Sequence, residues 1–239
     1  MSGVGGDELF GGYPSFNRID RLWFLKDNFL NGLFKAFKFA NNYKWKKLSF
    51  LSMKNPLGYY LLFRGLFTTE TTAKLLDVDE GKVINALRKI YFEVQDNIKK
   101  KSFVSYFETN LYMQNQLLKD SDCMSMRHSV EVRVPFLDRD LMKIAFSVKE
   151  GIKFNNGIPK YLLVQAFKDL LPEEIVTRKK QGFTFPFDIW MRKNGRGVFE
   201  KAMSKNTINK GYAEKLWNNF EQDDLNWSRV WALVVLKKA

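Results

Sequence analysis

The sequence predicts a mainly α fold, and three observations predict it. Apolar residues recur at spacings of three and four along most of the 239 residues, which is the period of amphipathic helices. These runs begin and end at residues that start or stop helices: Pro56, Thr68 and Asp138 at starts, Pro172 at a stop. No stretch shows a convincing strand ladder, and neither an internal repeat nor a low-complexity linker divides the chain.

Asn17 to Phe39 carries Ile19, Leu22, Trp23, Leu25, Phe29, Leu33 and Phe37 near helical spacing. Pro56 opens a helix through Tyr59, Leu62, Phe63 and Phe67, because proline suits a first helical turn. Thr68 caps a helix that runs to Leu76. Asp79 to Lys100 repeats Val83, Leu87, Ile90, Tyr91 and Val94, and its lysine-rich last turn favours the helix dipole. Ser102 to Met126 reads as the longest helix, with Phe103, Phe107, Leu111, Gln114 and Leu118 on one side. Val132, Val134 and Pro135 disfavour helix, so Val130 to Leu137 reads as extended or looped. Asp138 then caps a helix through Leu141, Ile144, Ala145 and Val148. Pro159 to Leu171 reads as another, and Thr177 to Pro186 as a basic, glycine-containing loop. Short helices are expected at Phe187 to Lys193, Gly197 to Lys205, Tyr212 to Phe220 and Trp227 to Lys237.

At this length the chain makes one large domain or two small ones, and 45% hydrophobic residues suffice for a substantial core. No run approaches the roughly 18 uncharged apolar residues of a membrane span. The first residues lack the basic and apolar regions of a signal peptide, so a cytoplasmic protein is expected. The single cysteine, Cys123, excludes an internal disulfide and a cysteine-rich zinc site; it is expected as a small core or near-site residue. The net charge of +13 is concentrated early, where lysines and arginines interleave with aromatics. Two readings meet there: a nucleic-acid surface, or a solvated helix face over an apolar one. No nucleic-acid motif accompanies the charge, which favours the second.

Three segments carry chemistry. The first is Ser2-Gly3-Val4-Gly5-Gly6-Asp7-Glu8-Leu9-Phe10-Gly11-Gly12-Tyr13. Glycines let backbone amides approach an anion, and the carboxylates suit Mg²⁺; the plainer reading is a tight turn and a helix start. The spacing fits neither a Walker loop nor a dinucleotide fingerprint. Such a loop normally follows a strand, and none precedes it, so the chain reads as cut from a larger domain. The second segment runs from Asp122 to Asp138 and gathers Asp122, Glu131 and Arg133, either near a substrate or in a buried ion-pair network. The third is Lys160 followed by Arg178, Lys180 and Gly182, either phosphate-neutralising or ordinary solvated charge.

Taken in order, Ser-Gly-x-Gly-Gly-Asp-Glu-Leu-Phe-Gly-Gly-Tyr, Ser-Met-x-x-Ser-x-Glu-x-Arg-x-Pro-Phe-Leu-Asp, Lys160 and Arg-x-Lys-x-Gly-Phe resemble the synthetase domain of glutamine-hydrolysing asparagine synthetases. The resemblance runs from Ser2 to the Trp227–Trp231 tail. It implies the helical C-terminal portion of an adenine-nucleotide α-hydrolase-like α/β synthetase domain over residues 1–239, with most of the parallel sheet missing. It further implies ATP as a substrate, Mg²⁺ as a cofactor, a β-aspartyl-AMP intermediate, and aspartate with glutamine or ammonia as the reactants. Asp7 matches the acidic Mg²⁺ ligand. Ser2, Gly3, Gly5 and Gly6 fall on the nucleotide and phosphate side, and Lys160 matches the lysine that stabilises the adenylation transition state. Arg178 and Lys180 are further phosphate candidates. Glu131 is a candidate for the chemistry, and Arg133, Asp122 and Val4 lie on the substrate side, with Asp122 able to pair with either Glu131 or Arg133.

Three departures remove charge. Val4 stands where asparagine-forming members usually carry Glu or Asp, which bears on the substrate more than on adenylation. Cys123 stands where Arg or Lys is common, and Val164 replaces a frequent Arg. The family's Ser-Gly-Gly-x-Asp-Ser loop and its glutaminase domain have no counterpart in these residues. The chain alone is therefore expected neither to hydrolyse glutamine nor to adenylate aspartate. An upstream half-chain or self-association is expected to complete it. A non-catalytic basic module that contacts nucleic acid or protein is the competing reading.

Overall fold

The computed structural model describes residues 1–22, 31–40, 42–92, 100–155, 158–177, 185–205, 207–223 and 225–236. All regular structure among them is helical, as the periodicity predicts, and no strand occurs. The α-helices are α1 Gly6–Phe10, α2 Pro14–Leu22, α3 Asn31–Ala36, α4 Tyr43–Lys46, α5 Pro56–Arg64, α6 Thr69–Leu76, α7 Glu80–Phe92 and α8 Lys100–Phe107. They continue as α9 Leu118–Met126, α10 Arg139–Ser147, α11 Glu150–Lys153, α12 Tyr161–Ala166, α13 Glu173–Thr177, α14 Phe187–Lys205, α15 Lys210–Glu221 and α16 Trp227–Val235. A π-helical stretch, Glu108–Leu117, joins α8 to α9. The chain divides into two compact units, residues 1–28 with 95–180 and residues 29–94 with 181–239.

In the first unit, α1 is too short to be stable on its own. Tertiary contact holds it: Leu9 and Phe10 are buried with Ala145, and Phe136, Met142, Leu162 and Leu163 pack around them. Burying a leucine such as Leu9, which is fully enclosed, contributes about 2 kcal/mol. The N-terminus of α8 is satisfied from a distance, because Glu150 Oε2 accepts from the Lys101 and Ser102 amides at 3.2 and 3.3 Å. The predicted long helix exists as one rod from Lys100 to Met126, but its middle is π-helical. That register buries Glu108, Thr109 and Met113. The helix predicted from Pro159 to Leu171 is shorter, because Phe167 leaves helical geometry after one and a half turns.

Lys153 is the unusual core residue of this unit, at 1% exposure. Its ammonium donates to the Ala145 carbonyl oxygen at 2.6 Å, at the end of α10, and lies over the Phe146 and Phe154 rings at 5.4 and 4.9 Å. Burial pushes its pKa from 10.5 down to about 8, against the opposing pull of Glu150. The unfolded chain therefore binds more protons than the folded one between these two values, and stability rises with pH through that window. Urea unfolding should show a gain of about 2 kcal/mol from pH 8 to pH 10 from this group, and Lys153→Met should remove that share of the slope. An unchanged slope in the variant would assign the effect elsewhere. Lys47, in the second unit, is pushed to about 8 by burial and by Arg229, and contributes a slope of the same sign.

In the second unit the core gathers around Trp217, with Phe199 at 4.8 Å between ring centroids and Leu216, Phe220, Val230 and Leu233 packed about it. The sequence predicts two short helices at Phe187–Lys193 and Gly197–Lys205; the structure has one, α14. Met191, Gly195, Phe199 and Met203 form a buried stripe at four-residue spacing, and packing against Trp217 carries the helix through its glycines. The helix beginning at Pro56 stops at Arg64 rather than Phe67, and the stretch Lys47–Met53, which carries no helical prediction, is 3-10 helix. Thr68 caps α6 as expected, accepting from the Thr71 amide at 3.3 Å. The helix predicted over Asn17–Phe39 is described only as α2, α3 and a 3-10 turn at Phe37–Phe39, its middle lying outside the described residues.

Candidate functional site

The site grows from α1. Gly5 is its N-cap and sits at φ 98°, where a Cβ would also meet Phe136 Cβ at 2.9 Å. Glu8 folds back over the turn. Its Oε2 accepts from the Gly5 amide at 3.0 Å, and its Oε1 accepts from the Tyr13 hydroxyl at 2.5 Å. Glu8 is 1% exposed. Burial first, then the hydrogen bond and charge of Glu8, raise the Tyr13 phenol far above its ordinary pKa, so it stays a neutral donor. Two buried serines add to the network: Ser105 donates to the Glu8 carbonyl oxygen at 2.7 Å, and Ser15 donates to Glu108 Oε1 at 2.9 Å.

The loop before α1 uses its amides internally. Val4 N–H donates to Ser2 Oγ at 3.3 Å, and Gly6 N–H donates to the Gly3 carbonyl oxygen at 3.2 Å. With Gly5 bound by Glu8, a phosphate seeking the Gly5 or Gly6 amides must exchange these bonds. Ser2 N–H donates to the Arg133 carbonyl oxygen at 2.8 Å, which ties the loop to the second sequence segment.

The third segment arrives through Lys160. Its Nζ lies 3.4 Å from Asp7 Oδ1, with the Asp7 side chain a quarter exposed. A pair this open to water contributes no more than about 1 kcal/mol to stability, so its geometry matters more than its strength. Lys160 is the N-cap of α12 and is left-handed, at φ 56° and ψ 35°. A lysine held there carries about 1 kcal/mol of backbone strain, which the surrounding packing must offset. The Asp7 Oδ1 atom is itself buried. Among the described residues no three acidic, histidine or cysteine side chains cluster. One carboxylate fits Mg²⁺ when substrate phosphates and water supply the other ligands.

The remaining predicted residues are more scattered. Glu131 and Arg133 pair with each other at 2.8 Å and are 69% and 75% exposed at their side chains, so the buried ion-pair network does not form there. Asp122 is exposed on α9, where the Ser125 hydroxyl takes its backbone carbonyl oxygen. Cys123 is exposed too, not in the core, because α9 buries none of its residues. Val4 is half-buried in the loop. Arg178 and Lys180 lie outside the described residues. Sequence reasoning missed Glu8, Tyr13, Ser15 and Glu108 as supports of the site. The N-cap to N3 spacing of Gly5 and Glu8 was a usable signal for the first. Glu108 offered none, since its burial and its bond from Ser15, 93 residues away, are set by tertiary contact.

A family model described as asparagine synthase matches residues 1–238. The chain is similar to asparagine synthetase (glutamine-hydrolyzing) 1 of Bacillus subtilis (strain 168), 26% identical over an alignment of 257 residues that covers 98% of this chain and 39% of the relative. A putative asparagine synthetase (glutamine-hydrolyzing) of Mycobacterium tuberculosis (strain ATCC 25618 / H37Rv) is 26% identical over 212 residues, covering 80% of this chain and 30% of that protein. The Gallus gallus asparagine synthetase (glutamine-hydrolyzing) is 42% identical over 67 residues, covering 27% of this chain and 12% of that protein. The chain thus spans about two fifths or less of the length of these curated relatives. No solved structure matches it.

Proposed function

The chain belongs to the asparagine synthase family, and from that premise we propose that it supplies one wall of the adenylating site of an ATP-dependent, amide-forming ligase. The observation that carries this is the Asp7–Lys160 contact at 3.4 Å, which brings a carboxylate and an ammonium from distant segments to one point. Adenylation of a carboxylate expels pyrophosphate and accumulates negative charge, so a site for it needs fixed positive charge. Lys160 supplies one such charge, and its left-handed backbone places the ammonium against Asp7. Asp7 would hold Mg²⁺, which when bound neutralises phosphate oxygens. Ser2 and Gly3 would face the nucleotide, with Gly5 and Gly6 shaping the turn. Glu131 and Arg133, a pair open to solvent, would meet the acyl substrate.

The reactants proposed are ATP, aspartate, and glutamine or ammonia. Val4 puts an apolar side chain beside Gly5, which bears on the acyl substrate and leaves adenylation to Asp7 and Lys160. The first unit also exposes Met124, Ile144, Phe146, Ile152, Phe167 and Leu170. Such side chains suit a face covered by the rest of a synthetase domain, and the chain by itself is expected to self-associate and to be inactive. Light scattering that finds a well-folded monomer would count against the covered face. No helix among the described residues is long and apolar enough to cross a membrane.

The test is calorimetric titration with a non-hydrolysable acyl-adenylate analogue. Binding should need Mg²⁺, lose that dependence in Asp7→Ala, and weaken about tenfold or more in Lys160→Ala. Binding indifferent to both variants would sink the reading. Steeply salt-dependent RNA or DNA binding instead would favour the basic module.

A further inference from the structure

A second site lies in the unit of residues 29–94 and 181–239, formed by α4, α6 and α15. A cavity of about 320 Å³ opens there, and Lys46, Lys74 and Lys215 all line it. Among the described residues no carboxylate does. Lys74 is answered from outside the lining, by Glu70 Oε1 at 2.6 Å, and lies over the Tyr212 ring at 5.7 Å. Among the described residues, neither Lys46 nor Lys215 has an acidic partner within ion-pair distance. The wall behind carries both signs, with Asp188 and Asp223 held by Arg192 beside Arg229. Arg229 lies 3.9 Å from the centroid of the Tyr43 ring, and its Nε–H donates to the Leu66 carbonyl oxygen.

Three ammonium groups around one small cavity repel each other, and a multiply charged anion relieves that repulsion. An ammonium is a compact point charge with three donors, which suits phosphate oxygens. The Tyr43 hydroxyl is already committed, donating to Leu66 O at 2.6 Å and accepting from the Thr68 amide at 3.1 Å, so recognition falls to the lysines and to the half-buried Asn219 carboxamide. Leu216 and Tyr212 give the cavity an apolar side. Its volume stands at the low end of small-molecule sites, room for pyrophosphate or a small phosphate ester but not a dinucleotide.

We propose that this cavity binds a small, multiply charged phosphate compound through Lys46 and Lys215, at a site separate from Asp7 and Lys160. The 239-residue chain is titrated calorimetrically with inorganic pyrophosphate and, separately, with adenosine monophosphate, without Mg²⁺ and at about 0.15 M salt so that diffuse surface charge is screened. Saturable binding is expected. Saturation by pyrophosphate alone identifies an inorganic anion, and saturation by the nucleotide identifies a phosphate ester. The double variant Lys46→Gln/Lys215→Gln should weaken binding about tenfold or more, while Lys201→Gln on the exposed face of α14 leaves it unchanged. Acylation of the unaltered chain, read by mass spectrometry, gives a measure that needs no variant: pyrophosphate or the nucleotide should protect Lys46 and Lys215 but not Lys201. No saturation up to about 10 mM of either ligand overturns the proposal. So does equal weakening by Lys201→Gln, equal protection of Lys201, or binding that follows Lys160.

Discussion

Glu8→Ala will loosen the opening turn of the first unit by about 4 kcal/mol, the largest single effect expected at this site. Glu8 accepts from the Gly5 amide on one carboxylate oxygen and takes the Tyr13 hydroxyl on the other. Removing it takes an acceptor from the buried Gly5 amide and another from the half-buried Tyr13 hydroxyl, each loss costing about 1–3 kcal/mol, and leaves a void where a 1% exposed side chain stood. Glu8→Gln keeps the shape and one acceptor, and should cost about 1–2 kcal/mol. Amide hydrogen exchange at Leu9 and Gly12 reads the loss locally, which matters because a chain of two units need not unfold in one step. Protection in Glu8→Ala equal to that of the parent would mean the turn is held by its apolar contacts alone.

What the sequence made legible follows from how local each determinant is. Thr68 and Asp138 could be read as caps because their partners lie two or three residues on, at Thr71 and at Asp140 and Leu141. Asp7 stood out because glycines surround it within one short motif. The unity of α14 was not legible, because it depends on Trp217 in another helix. The 3-10 stretch at Lys47–Met53 likewise answers to its packing against α3 and α5 rather than to a local period. The support beneath the site was hidden for the same reason. Glu108 is a fully buried carboxylate, and Ser15, far away in sequence, donates to it at 2.9 Å. Motif reading found Asp7 and Lys160, which meet at 3.4 Å; the residues that hold them in place are set by tertiary contact.

Gly12→Ala should displace Asp7 and with it the Lys160 contact. A Cβ at residue 12 would lie 1.7 Å from Asp7 Oδ1, 2.6 Å from its Cγ and 2.9 Å from its Cβ. Rotating the carboxylate tip clears the first two contacts but not the third, so the backbone must give as well. That backbone is pinned, because the Gly12 amide donates to the Asp7 carbonyl oxygen at 2.8 Å. The overpacking should cost about 3 kcal/mol, and Mg²⁺-dependent binding of the acyl-adenylate analogue should fall by about a hundredfold as the carboxylate swings away from Lys160. A double-variant cycle separates collision from any other effect of the methyl group. Asp7→Ala removes Oδ1 and Cγ, so Asp7→Ala/Gly12→Ala should be more stable than Gly12→Ala alone by about 2 kcal/mol. Strict additivity would place the two side chains apart. The cycle also bears on function: if the glycine serves only to make room for Asp7, the double variant should keep only the remaining cost of the Cβ–Cβ contact and show the same Mg²⁺-independent residual binding as Asp7→Ala.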